Sequence, residues 1–319
     1  MTIYVIRRLL LIIPTLFMVT ILVFLLSHFI PGDAIDILAA ELEQVTGEQV
    51  DREMVAHLLG LDMPIHEQYG RWVGNIILHG DFGTSLRSQY SVGGEIAARV
   101  PVTFELGILA IIIGAIIAIP IGILSAIRQD TLADYVGRSF SIVMISVPVF
   151  WVATIVMIYP SIWWGWSPPM ELIPFIKDPM GNLGMFLLPA FIMGLGMTGG
   201  TMRMVRTTML EVLRQDYIRT AWAKGLKERV VIFRHGLKNA MMPVVTIMGY
   251  QLPLILGGSV IIEQIFCLPG MGRLMLQSLN QRDYPVVSAL NLIMSAFVMF
   301  VNLAVDMTYA FLDPRVRYT

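Results

Sequence analysis

Charge is scarce in this sequence: 14% of its 319 residues are Asp, Glu, Lys or Arg, against roughly 25% in soluble domains. With 56% hydrophobic residues, the chain reads as an integral membrane protein. Cysteine is nearly absent. The single Cys267 excludes an internal disulfide, has no Cys/His cluster at metal-ligand spacing around it, and reads as a small apolar filler. No G-x-x-x-x-G-K-[ST] loop occurs, which excludes nucleotide binding in the P-loop manner. His28, His57, His66, His79 and His235 form no H-E-x-x-H pair, so the commonest metalloprotease signature is missing. Gly194, Gly196 and Gly199 do satisfy G-x-G-x-x-G. That motif needs a preceding strand in a soluble unit, and inside an apolar run it reads instead as close helix packing.

Long apolar runs are what the chain has in quantity. They cover residues 9–30, 102–127, 138–160, 185–205, 241–262 and 287–310, each near the roughly 20 helical residues that cross a bilayer. The first follows Arg7 and Arg8 and exceeds the 7–15 residues of a signal-peptide core, so it reads as an uncleaved transmembrane helix. Proline recurs within the runs at Pro14, Pro120, Pro148 and Pro253. Membrane helices tolerate it where neighbours re-satisfy the freed backbone groups. The fold class is therefore all-α, with six membrane spans.

Residues 31–100 form the longest polar stretch, and acids outnumber bases in it. Periodicity predicts short helices over 49–59 and 65–78, the second with Pro64 just ahead, and a turn over 80–85. A structured external cap fits this better than a catalytic domain. With the N-terminus inside, 15 of the 22 Lys and Arg residues fall on the cytoplasmic side, which sets both termini in the cytoplasm. Glu105, Asp306 and His28 are ionisable groups near span ends. Such positions let a polar head reach the interface, so a structural role suits them. A proton-coupled carrier would bury such groups deeper and show an inverted repeat. Neither is found.

The most basic segment is residues 216–243, where Arg219, Lys224, Lys227, Arg229, Arg234 and Lys238 face only Asp216 and Glu228. Two amphipathic pieces meet at Gly225, and glycine lets a chain turn sharply between helices. A solvated loop obeying the positive-inside rule would explain the charge. It would not explain the small residues Thr220, Ala221, Ala223 and Gly225, followed by Val230, Phe233 and Leu237 at helical spacing. A docking elbow for a partner protein accounts for both.

These residues resemble the permease subunits of bacterial ATP-binding-cassette importers, in the dipeptide, oligopeptide and nickel branch. YIRTAWAKGL at 217–226 and LKNAMMPVV at 237–245 are similar to that branch's cytoplasmic coupling loop, with Gly225 at its signature glycine. Where the wider family has Glu-Ala-Ala, this chain has Arg219, Thr220 and Ala221, so the glutamate is absent. FIPGD at 29–33, residues 80–85, EQIFCLPGMGR at 263–273, RDYP at 282–285 and LDPR at 312–315 extend the likeness over nearly the whole chain.

The resemblance implies a type I importer permease fold with an external loop domain after the first helix. Residues 1–30 would be the N-terminal transmembrane helix, 31–100 the external region, 101–310 a five-helix core carrying the coupling loop at 206–240, and 311–319 a cytoplasmic tail. It implies no enzyme activity in this chain and no cofactor of its own, ATP and magnesium being bound by a separate ATPase. Expected partners are a second permease subunit, two ATPase domains, an external solute-binding protein and the lipid bilayer, with no nucleic acid. The ATPase contact would comprise Arg219, Thr220, Ala221, Lys224, Gly225, Leu226 and Lys227. Residues 31–100 and 263–286 would face the binding protein, in a bacterial inner membrane. The cargo would be a di- or oligopeptide. Nickel, glutathione or a sugar oligomer are the alternatives, as are an ATP-independent carrier or a scaffold, and no substrate-binding residue is identified.

Overall fold

The computed structural model describes residues 2–29, 51–59, 62–169 and 171–312, together with residues 39, 43 and 47. Among these the chain is helical, with one isolated β-bridge between Thr84 and Ser91. The helices are α1 (Thr2–Phe29), α2 (Arg52–Leu59), α3 (Ile65–His79), α4 (Val92–Ile127), α5 (Leu132–Ser146), α6 (Val149–Trp164) and α7 (Pro179–Leu213). After them come α8 (Asp216–Ala223), α9 (Lys238–Ile265), α10 (Met271–Gln281) and α11 (Tyr284–Leu312). Five helices are long and apolar enough to span a membrane, and the pair α5–α6 makes a sixth if counted as one broken span. The chain is thus a multi-pass membrane protein. The expected FIPGD and LDPR stretches, the 311–319 tail and the His28 side chain lie wholly or largely outside what is described.

The third apolar run is not one straight helix. It bends by 85° between α5 and α6, because Val147 precedes Pro148 and is driven to extended backbone (φ −82°, ψ 121°). The fourth run is longer than its apolar centre. Asp178 caps α7 by accepting the Gly181 N–H at 3.0 Å, and Pro179 takes the first helical position, where no N–H is needed. The run at 102–127 likewise begins earlier, at Val92. This places Glu105 well inside α4, half-buried, rather than near its end.

The chain divides into two units. The first comprises residues 102–272 and 300–319, and small residues set its packing. A Cβ on Gly194 of α7 would lie 2.6 Å from the Ala110 carbonyl of α4, one on Gly199 would lie 2.6 Å from the Ser141 carbonyl of α5, and one on Gly196 would strike Val149 of α6. The three glycines of the apparent nucleotide motif therefore meet three different helices, as the packing interpretation requires. The Ser141 hydroxyl donates to the Gly199 carbonyl at 2.7 Å, adding a polar lock to the seam. A core of Leu106, Phe186, Met193, Ile255 and Phe266 lies between α4, α7 and α9. At the same end of α9, the buried Glu263 accepts from the Thr103 hydroxyl at 2.7 Å. The Thr103 hydroxyl oxygen in turn accepts the Met271 N–H at 2.8 Å.

The second unit comprises residues 2–101 and 273–299. Phe24 of α1 stacks edge-on to Tyr69 of α3 at 5.4 Å, and the Thr20 and Tyr69 hydroxyls share a hydrogen bond of 2.8 Å. The turn over 80–91 is tied to the start of α11. Asp283 accepts the Ser85 hydroxyl at 2.5 Å and the Leu86 N–H at 3.2 Å, and Arg87 Nε donates to the Gln281 carbonyl at 3.0 Å.

Candidate functional site

The elbow grows directly out of α7. Arg214 keeps helical backbone, Gln215 switches to an extended conformation (φ −74°, ψ 148°) and α8 begins at Asp216. Eight residues later the chain reverses. Gly225 adopts φ +75°, a left-handed value that costs an ordinary residue roughly 1–2 kcal/mol and glycine almost nothing. Its N–H returns to the Trp222 carbonyl at 2.9 Å. One helical turn at Glu228–Val230 then runs into a π-helical stretch, Val231–Leu237, that continues as α9.

Two faces of α8 behave differently. Ile218 and Ala221, three residues apart, are buried with Val231 against Leu213. That spacing puts both on one side of a helix. Arg219, Thr220 and Trp222 of α8 are exposed, as are Lys224, Gly225, Leu226 and Lys227 in the turn after it. Of the expected contact residues, six lie on the outer surface. Ala221, 6% exposed, is turned into its own chain and roots the elbow.

Of the apolar set after the turn, Val230 and Leu237 are half-buried and Phe233 is exposed, while the buried residues are Val231, Ile232 and Gly236. Val231 and Gly236 are five apart, the repeat of a π-helix and not of an α-helix. Ile232 joins Val205, Met209 and Val244 in the core below. The Asn239 amide donates to the Tyr217 hydroxyl at 2.8 Å, closing the elbow onto the start of α9.

Exposed charges on the elbow are weakly committed. Arg219 and Asp216 approach to 3.6 Å with both side chains largely in solvent, and such pairs contribute little. Trp222 was not among the expected residues, although it is 45% exposed on the outer face. An exposed Trp beside cations is the composition of a protein-binding hot spot. Helical spacing does not signal it, since position 222 follows Ile218 by four and falls next to the buried side of α8; its exposure emerges only from the structure. A second missed feature is an ion pair behind the elbow. Arg206 of α7 donates from Nε and Nη2 to the two oxygens of Asp134 in α5, each at 2.7 Å. In the sequence Arg206 is one of the 15 cations on the cytoplasmic side, and Asp134 belongs to no motif.

Two family models match. Residues 118–318 match the "Binding-protein-dependent transport system inner membrane component", and residues 1–107 match the N-terminal part of a binding-protein-dependent transport system membrane component. An oligopeptide transport system permease protein of Bacillus subtilis is 40% identical, with all of both chains covered. A glutathione transport system permease protein of Salmonella paratyphi A is 38% identical over 99% of each chain. A crystal structure of an amino acid ABC transporter with histidines superposes with a TM-score of 0.54 at 13% identity, over 68% of this chain and 94% of that one. That likeness concerns the fold alone.

Proposed function

Because the chain belongs to the family of binding-protein-dependent transport system inner membrane components, we propose that its elbow is the surface on which a separate ATPase acts. The chain is a permease subunit of an ATP-binding-cassette importer. The observation that carries the proposal is the two-sided elbow: Ile218 and Ala221 of α8 bind it to the membrane helices, while Arg219 and Trp222 of α8 and Lys224, Leu226 and Lys227 of the turn after it stand clear. Gly225 turns the chain so that this outer face sits at the tip. ATP and magnesium bind to the ATPase, and the purified permease alone hydrolyses no ATP. The positive-inside rule supports a cytoplasmic elbow and cytoplasmic termini in the bacterial inner membrane.

The cargo is a di- or oligopeptide, which the oligopeptide permease relative supports. Glutathione, itself a small peptide, is the second reading, since one relative of nearly equal identity is named for it. The working assembly contains a second permease, two ATPase domains and an external solute-binding protein. Transport proceeds by alternating access. Closure of the ATPase pair moves the elbow, and the elbow shifts the membrane helices only if it contacts the ATPase differently in the two states. Reconstitution with ATPases and binding protein tests the reading. Dialanine or longer peptides should stimulate hydrolysis and accumulate. Uptake driven by an ion gradient with no nucleotide requirement would refute it.

A further inference from the structure

The pair Asp134–Arg206 lies away from the elbow's outer face, and its geometry is unusually complete. Asp134 is fully buried and Arg206 is 18% exposed. Besides the two guanidinium bonds, Asp134 Oδ1 accepts the Ser125 hydroxyl at 2.5 Å and Oδ2 accepts the Asp130 N–H at 3.0 Å. One carboxylate thereby gathers α4, the α4–α5 turn and α7 onto the first turn of α5. Asp130 itself holds φ +59°, a conformation an L residue keeps only where its surroundings over-determine it.

Stability alone does not account for these charges. A buried ion pair is often no better for stability than an apolar pair of the same volume. A bidentate guanidinium–carboxylate fork does fix both distance and angle. Elsewhere the α5–α7 seam is made of small-residue contacts, Gly137 on Met202 and Ser141 on Gly199, and beyond the bend Val149 of α6 meets Gly196. Arg206 stands in the last turns of α7, which hands over to the elbow after Leu213.

We propose that Asp134 and Arg206 are positioning residues that carry displacement of the elbow from α7 into α5, and through the bend at Pro148 into α6. This rests on the reading of the elbow as the place where an ATPase acts. Without the fork, the small-residue seam is free to slip, and motion at α8 is lost before it reaches the α5–α6 bend.

The test is the number of dialanine molecules imported per ATP hydrolysed by the complete importer in proteoliposomes. Three permease variants are compared: D134N/R206Q, which removes both charges; R206K, which keeps the charge but loses the fork; and the swap D134R/R206D. D134N/R206Q should assemble, because removing both partners leaves no orphaned charge. Its import per ATP should fall roughly 2- to 30-fold, the range for residues that carry coupling. R206K should show a smaller fall, and the swap should recover part of the loss. Wild-type coupling in D134N/R206Q and R206K would overturn the proposal and leave the pair structural. If the double variant fails to assemble, R206K decides alone, with wild-type coupling overturning the proposal. A wild-type complex that consumes no ATP during import would instead refute the underlying reading of the elbow.

Discussion

The seam between α5 and α7 and the elbow at α8 are held in opposite ways. Along the seam, backbones touch through Gly199 and Ser141, and a buried ion pair closes one end. At the elbow, two buried side chains of α8 and one from beyond the turn hold a short helix whose other face is open. Rigid packing suits a part that must transmit displacement without deforming. A thin inner contact with an exposed Trp and several cations suits a part gripped from outside. The difference separates transmission from reception within one helix pair.

The largest effect expected on this contrast comes from breaking the seam's charge closure. Asp134→Asn alone leaves a largely buried guanidinium without its countercharge and should cost roughly 3–5 kcal/mol, read as a lower unfolding temperature of the purified permease pair. Next comes Gly199→Val, which drives a Cβ toward the Ser141 carbonyl and the Ile145 side chain. Overpacking of that kind costs about 1–3 kcal/mol. Gly200→Ala is its control, since a Cβ there meets nothing within 4 Å and stability should hold.

The elbow should respond by function more than by melting. Gly225 has open space around it, so Gly225→Val suffers only the left-handed backbone penalty of roughly 1–2 kcal/mol, and Gly225→Asn less. Valine should lower import per ATP while membrane insertion is retained, and asparagine should stay near wild type. The smallest change in stability belongs to Lys224→Ala and Lys227→Ala, within about 0.5 kcal/mol. Both should nevertheless weaken ATPase association measured at low salt, and the deficit should shrink as salt screens the charges.

Much of this organisation was legible in the sequence because its causes are local. Apolar length gave the spans, Gly225 gave the turn and the three glycines at 194, 196 and 199 gave close packing. Pro148 was visible too, but the size of the bend, 85°, is contained in no run of hydropathy. The inward face of α8 could be read from Ile218 and Ala221 only once a partner at Val231 was known. The π-helical register that buries Val231 and Gly236 defeats a search at 3.6-residue spacing. Asp134 and Arg206 are 72 residues apart, and nothing in either neighbourhood points to the other.

The exposed side of the elbow, and not the buried side of α8, should meet the ATPase. Single cysteines at Arg219, Trp222, Leu226 and, as the buried control, Ile218, introduced into a chain with Cys267 replaced, permit a direct measurement by short-range cross-linking in the assembled importer. Strong adducts to the ATPase from 219, 222 and 226 that vary with nucleotide, and none from 218, are the predicted result. Adducts from 218 equal to those from 222, or none from any elbow position, would contradict the account.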